Sequence, residues 1–365
     1  ELRKKNHIQV GEGSPVFKAL GEGREGVEQK INSCGLDKCL ELGAKEIGYY
    51  EKKGKTGTGR YRKGIGMCAL MQGSSIPFVD MGAASIKMNE DGSFNLLLGA
   101  ADLGTGADTV LSQIAAETLC VSYDKIIPFS ADTDYCPFDV GAYASSTTYL
   151  TGTSVRKTAE AVKDQILDVA ATILKESKDK LRCEDSHVIS ESGKKIDYSK
   201  ICYHSLYSEN MHQIAATKSH ITECSPPPFS AHFAEVEVDI ETGLVKVLKY
   251  VAAVDCGTAI HPILAEGQTE GGVLNGISYA LCEEIVFDEK GKPKNGTFKD
   301  YKIYNTIDVP EIKTVLVPTY EPTGPYGAKS VSEICINGPV PAIANAIYDA
   351  IGIRLKEIPF KPEAV

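Results

Sequence analysis

The 365-residue chain lacks any apolar run approaching the about 20 residues that a membrane-spanning helix requires. Its net charge is −10 and its basic residues are dispersed, so it also lacks the clustered positive potential that selects phosphate backbones. No N-terminal stretch has the basic-then-apolar order of a secretion signal. We therefore expect a soluble protein whose partners are neither membrane nor nucleic acid.

The eleven cysteines are scattered along the whole chain without a single CxxC pair, and the seven histidines form no HxxxH or HxxEH pairing. This scatter argues against a disulfide framework, and against zinc or iron–sulfur ligation by this chain alone. We predict a cytoplasmic protein without a zinc or iron–sulfur site of its own. Because the chain begins with Glu1 rather than Met, we expect a fragment or a processed subunit.

The chain divides into a polar, glycine-rich arm and two lobes. Three consecutive prolines, Pro226 to Pro228, can continue neither a helix nor a central strand, so we place the lobe boundary there. The predicted units are an N-terminal arm and linker (1–64), a first lobe (65–225) and a second lobe (226–365). Each lobe contains a hairpin signal, NEDG or ETG, followed by helical periodicity, which predicts an α+β fold of two mixed lobes.

Helical periodicity and breaker residues predict the helices, and the charged stretch 175–200 is interpreted as exposed helix ends and loops. The predicted helices are 26–42, a helix after Gly106, 152–176, 267–284, and a last helix that starts at Pro339.

Gly21, Gly23 and Gly26 in GEGREG match GxGxxG, the pattern of a nucleotide-binding dehydrogenase. The preceding PVFKAL is a poor central strand and no convincing βαβ unit follows. A loop that leads into a helix explains the motif better, and the dehydrogenase remains a lesser alternative.

Two turns could hold an anion at the start of a helix. Gly104, Thr105 and Gly106 precede one helical segment, and small residues there let backbone amides approach a ligand. The stretch GAYASSTTYLTGTS, from Gly141 to Ser154, adds seven serine and threonine hydroxyl groups ahead of another helix. A simple glycine turn and a capped helix would look similar.

Gln268 and Glu333 are candidates of a different kind. Gln268, in the glycine-rich EGQTEGG, offers one acceptor and two donors. Glu333 is a lone carboxylate between small residues and an apolar helix, where it could be desolvated. Taken alone, each could be an ordinary surface residue.

The order of these motifs resembles the molybdenum hydroxylases, the family of xanthine dehydrogenase, aldehyde oxidoreductase and nicotinate dehydrogenase. The glycine turn, the Ser/Thr-rich turn, GQTEGG and AKSVSE followed by PAIANAI occur in the family's order, and the likeness covers nearly the whole chain. ELRKKN resembles the point where the molybdenum subunit passes into its second large domain. The resemblance therefore implies the C-terminal half of the molybdopterin-binding subunit, with the two lobes of that family's fold.

The resemblance implies a molybdenum–molybdopterin cofactor, in bacteria commonly the cytosine dinucleotide form, whose pterin dithiolene holds the metal. [2Fe–2S] clusters and FAD would lie on partner subunits, together with the remaining domain of the molybdenum subunit. By matching motifs, the cofactor-binding residues would be Gly104, Thr105, Gly106, Ala144, Ser145, Thr147, Thr148, Gln268 and Ser332.

Glu333 matches the family's catalytic base, which takes a proton so that water-derived oxygen can attack a carbon of an N-heteroaromatic (purine or nicotinate-like) or aldehyde substrate. Three departures weaken any assignment to xanthine. Thr105 replaces a Gln, Ser330 and Ser332 replace small residues, and Ser74 replaces a purine-stacking aromatic residue. The competing hypothesis is a structural or assembly half that is inactive alone.

Overall fold

The computed structural model describes residues 2–19, 21, 23–208 and 210–365 and shows a mixed α+β fold, as predicted. The strands are β1 Tyr61–Met71, β2 Met81–Met88, β3 Phe94–Leu98, β4 Ile126–Ser130, β5 Leu181–Glu184, β6 His187–Ser190, β7 Lys195–Asp197, β8 Ala215–Ile221, β9 Phe229–Asp239, β10 Val245–Asp255 and β11 Glu311–Leu316. The helices are α1 Leu2–Asn6, α2 Val16–Ala19, α3 Leu36–Ile47, α4 Tyr49–Lys52, α5 Ala107–Leu119, α6 Thr147–Leu174, α7 Tyr198–Tyr207, α8 Pro262–Leu281, α9 Glu333–Ile336 and α10 Pro339–Ile351.

One sheet has the order β1-β9-β10-β11 and lies between helices. Its β9–β10 hairpin, predicted around ETG, is antiparallel, and β11 joins β10 in parallel. Helix α3 packs its apolar residues on one face, and α8 and α10 pack on the other. A Cβ on Gly66 of β1 would lie 2.2 Å from the Ala342 carbonyl oxygen, so glycine lets α10 approach closely.

The second sheet has the order β4-β3-β2-β8 and carries α5 and α6 on one face. Its β2–β3 pair is the hairpin predicted around NEDG. Helix α5 begins directly after Gly106, as predicted, whereas α6 begins at Thr147, five residues before the predicted start at 152. The starts of both helices line one cavity together with Ser145 of the Ser/Thr-rich turn.

Two local predictions were wrong. Within 175–200, a third sheet of order β5-β6-β7 replaces the expected loops, and its alternate residues Leu181, Val188 and Ile196 are buried in the core. The helix predicted at 26–42 begins only at Leu36. The preceding segment is irregular because Gln29 exchanges two hydrogen bonds of 2.7 Å with the backbone of Ser225.

The structure differs from the predicted lobes at β1. Residues 65–71 were assigned to the first lobe, but β1 pairs with β9 along its whole length and so belongs to the sheet of the second. The boundary at Pro226 stays a prediction. None of the helices in the described ranges is long and apolar enough to cross a bilayer.

Candidate active site

Three helices begin around one cavity. Its wall includes the first residues of α5, the first turn of α6 and the start of α8. Gly106 and Ser146, which precede α5 and α6, make no side-chain cap to the helix amides. Apart from Asp108 N–H of α5, which Asp102 binds, the first backbone N–H groups of these helices remain available as donors, and the aligned peptide dipoles favour an anion there.

The glycine turn before α5 is organised by Asp102. Its carboxylate accepts hydrogen bonds from the backbone N–H of Gly104 at 2.9 Å, of Gly106 at 3.1 Å and of Asp108 at 3.3 Å. Gly106 has a φ of +76°, and a Cβ there would lie 2.5 Å from a methyl carbon of Leu264. Glycine is therefore required both by the backbone conformation and by the closeness of α8.

The Ser/Thr-rich turn separates two cavities. Ala144 and Ser145 have φ values of +53° and +54°, unusual for residues with a side chain. Ser145 lines the cavity at the helix starts, whereas Ala144 lines a second cavity. Tyr143 is held beside them by a 2.7 Å hydrogen bond that its hydroxyl donates to Asp80, and this bond raises the pKa of Tyr143 to about 12.

Glu333, the first residue of α9, is joined to the same turn. The Ser145 hydroxyl donates to Glu333 Oε2 at 3.0 Å and accepts from the Glu333 backbone N–H at 3.1 Å. Glu333 is half-buried and lines the second cavity. The two residues, 188 positions apart, thus form the partition between the cavities.

Gln72 also binds this carboxylate, and the sequence did not single it out. Its Nε2 donates to Glu333 Oε2, and its Oε1 accepts from the Asn337 side chain at 3.2 Å. Gln72 directly follows β1, and Asn337 follows α9. The only local sequence signal for a functional Gln72 was its position as a polar residue after a buried strand and before a glycine.

Gln268 and Ser332 meet near the partition. Gln268 Nε2 donates to Ser332 Oγ at 2.8 Å. Both residues line the cavity at the helix starts, and both also line a third pocket with Glu333. Gly267, Gly271 and Gly272 form part of that pocket, because α8 presents glycines rather than side chains there.

A buried ion pair supports the loop that leads to Glu333. Lys329 Nζ donates to Asp255 Oδ2 at 2.7 Å, and both side chains are fully buried. The same carboxylate accepts from Gly35 N–H at 2.8 Å and from the Thr319 hydroxyl at 2.6 Å. The Asp255 carboxylate thus joins the N-terminal arm, β10 and the loop. Removing Lys329 or Asp255 alone would leave the other charge buried without a partner.

The structure brings most predicted site residues together. Those that line the cavity at the helix starts, the second cavity or the third pocket are Gly104, Thr105, Ala144, Ser145, Thr147, Thr148, Gln268, Ser332 and Glu333. Gly106 shapes the turn beneath Leu264 instead. Ser74 is buried behind the wall, where its hydroxyl donates to the Pro226 carbonyl at 2.6 Å.

No described residue of the GEGREG motif lines these cavities, although Phe17 and Val27 on either side of it line the second cavity. Gly21 and Gly26 belong to a loop after the short helix α2, and Glu22 lies outside the described residues. In the described part of the motif, no strand precedes the glycines and no helix directly follows Gly26. This arrangement gives no support to a dinucleotide-binding turn. Across the described ranges, no group of three His, Cys, Asp or Glu residues is arranged to hold a metal.

Comparisons with known proteins agree with this fold. Residues 42–310 match the model of the molybdopterin cofactor-binding domain. The chain therefore belongs to the molybdopterin cofactor-binding family of the molybdenum hydroxylases.

Two curated relatives from Escherichia coli strain K12 align with the whole chain. It is 36% identical to the probable hypoxanthine oxidase XdhD over 38% of that protein's length. It is 32% identical to the putative xanthine dehydrogenase molybdenum-binding subunit XdhA over 48% of its length. The chain thus spans less than half of either relative.

Two solved structures have the same fold. Carbon monoxide dehydrogenase from Oligotropha carboxidovorans superimposes with a TM-score of 0.87 at 25% identity, over 100% of this chain and 47% of that one. Quinoline 2-oxidoreductase from Pseudomonas putida 86 superimposes with a TM-score of 0.85 at 23% identity, over 92% and 46%.

Proposed function

We propose that this chain forms one wall of the active site of a molybdenum hydroxylase, with Glu333 as the catalytic base. The enzyme would insert water-derived oxygen at a carbon of an N-heteroaromatic or aldehyde substrate. The observation that carries this proposal is the partition itself. Glu333 stands between a donor-rich cavity at three helix starts and a second, larger cavity.

The donors of the first cavity fit a phosphate-bearing pterin. Thr147 and Thr148 offer hydroxyl groups beside the uncapped start of α6, and the start of α5 adds backbone N–H groups. These groups would hold the phosphates, while Gln268 and Ser332 would face the pterin end. When bound, the cofactor supplies an activated oxygen from water and accepts the two electrons of the oxidation.

Glu333 would remove the proton from the attacking oxygen. Ser145 and Gln72 both donate to Glu333 Oε2, so Oε1 is left to face the reacting groups. Donors on a single oxygen fix the orientation of the carboxylate.

The cofactor would be the cytosine dinucleotide form, and [2Fe–2S] and FAD on partner subunits would carry the electrons away. Related proteins named as subunits or large chains, including the carbon monoxide dehydrogenase large chain, support a multi-chain complex. All eleven cysteines are unpaired, which supports a reducing, cytoplasmic location.

An assembly half that is inactive by itself is the second candidate. The cavity at the helix starts has a volume of about 90 Å³, too small to enclose a whole pterin nucleotide. The cofactor would therefore extend to a surface supplied by the remainder of the subunit.

Metal analysis of two preparations tests the half-site and the cofactor assignment. We expect little molybdenum in the chain expressed alone, and about one molybdenum per chain after co-expression with the rest of the subunit and the cofactor-assembly machinery. Stoichiometric molybdenum in the lone chain would contradict the half-site. A metal-free but fully assembled complex would contradict the cofactor assignment.

A further inference from the structure

The second cavity is large and mostly apolar. Its volume is about 550 Å³, within the usual range of small-molecule sites. It is lined by Phe17, Val27, Gln29, Met71, Gln72, Gly73, Ser75, Ile76, Pro77, Tyr143, Ala144, Ser225 and Glu333. Among these described residues, Glu333 is the only carboxylic acid, and no lysine, arginine or histidine is present.

The polar groups of this lining already have partners. The Gln29 amide is engaged with the Ser225 backbone, and the Ser75 hydroxyl donates to the Cys224 carbonyl at 3.1 Å. Gln72 is engaged with Glu333, and the Tyr143 hydroxyl with Asp80. The cavity wall therefore has few free hydrogen-bond donors that could replace the hydration shell of an anion.

We propose that this cavity is the substrate chamber and that it selects uncharged heteroaromatic substrates over substrates that bear a carboxylate. This inference rests on the proposed function, because it takes Glu333 as the base beside the substrate. A carboxylate in the chamber would lose its hydration without gaining a cation or several donors. It would also be repelled by the negative charge that Glu333 must carry to act.

Nicotinamide and nicotinate form a matched pair of probes, because they share a ring and differ in the charge of one substituent. Their dissociation constants can be measured by calorimetry on the assembled, oxidised complex that carries Glu333→Gln, so that turnover does not interfere. Since this variant lacks the repelling charge, the comparison is repeated on the native complex by competitive inhibition. We expect nicotinamide to bind at least about tenfold more tightly than nicotinate in the native complex, with a smaller difference in the variant.

Met71 allows a test of location. It ends β1 at the cavity wall and is 37% exposed, so a longer side chain can be accommodated. Met71→Arg should strengthen nicotinate binding about tenfold or more by supplying a cation, whereas the neutral control Met71→Gln should leave the ratio near its native value.

The possible outcomes bear on the charge selection, the location of the chamber and the proposed function separately. Tighter binding of nicotinate by the native complex would overturn the selection for uncharged substrates. Binding of neither probe, or affinities indifferent to Met71→Arg, would overturn the chamber. Loss of turnover on every heterocycle, with the expected binding ratio intact, would instead count against the proposed function.

Discussion

Ser145 and Glu333 exchange two hydrogen bonds, one through the carboxylate at 3.0 Å and one through the Glu333 backbone N–H at 3.1 Å. Ser145 itself has a φ of +54°, a conformation that costs free energy in a residue with a Cβ. The fold thus tolerates local strain where it places a hydroxyl between the two cavities. We infer that Ser145 is a positioning residue for the base.

Ser145→Ala should lower kcat by about 10- to 100-fold with little change in KM, because a hydrogen bond to a charged group is worth about 1.5–3 kcal/mol. Steady-state kinetics of the assembled complex measures both constants. Ser85→Ala is the control: it removes a half-buried hydroxyl of β2 that contacts Thr217 on the neighbouring strand, and it should leave both constants unchanged. An unaltered kcat in Ser145→Ala would show that the hydroxyl does not orient Glu333.

Gln72→Glu should move the acidic limb of the kcat profile upward by about one pH unit or more, because two adjacent carboxylates resist ionising together. Gln72→Met removes the same hydrogen bond without adding charge, so its limb should move upward by less than that of Gln72→Glu. Coincident profiles for these two variants would contradict the contact between Gln72 and Glu333.

The buried His232 should make the folded protein less stable at acidic pH. It is fully buried, its Nδ1 lies 2.9 Å from the Tyr250 hydroxyl, and burial lowers its pKa from 6.5 to about 3. Between these values the unfolded chain binds the proton and the folded chain does not. The stabilising contribution is therefore complete above pH 6.5 and is lost as pH falls toward 3.

Replacing His232 with Gln should reduce the slope of unfolding free energy against pH by ~1.4 kcal/mol per unit between about pH 6 and about pH 4. Urea unfolding at several pH values measures this slope. His212→Gln, at an exposed position, is the control and should keep the native slope. Equal slopes in both variants would mean that His232 is protonated in the folded protein.

The sequence predicted those parts of the fold that depend on local pattern. The hairpins around NEDG and ETG and the helices after Gly106 and from Pro339 follow from turn chemistry and periodicity, and the structure confirms them. The segment 26–35 did not follow, because its hydrogen bonds go to Ser225 and Asp255, about 200 residues away. Periodicity carries no information about such partners.

The same limit applies to the site. Resemblance to a family identified Glu333 and the turns around it, but it did not identify Gln72 or Asn337. Their contacts depend on β1 crossing into the sheet of the second lobe and ending beside α9. The buried pair of Lys329 and Asp255 depends likewise on a packing that brings positions 74 residues apart together.

The role of Glu333 is tested most directly by comparing metal content and turnover in Glu333→Gln within the assembled complex. We predict a molybdenum content equal to that of the native complex, together with a turnover reduced about 10²- to 10⁴-fold, because the amide keeps the shape of the side chain but cannot accept the proton. Near-native turnover with full metal content would contradict the assignment of Glu333 as the base.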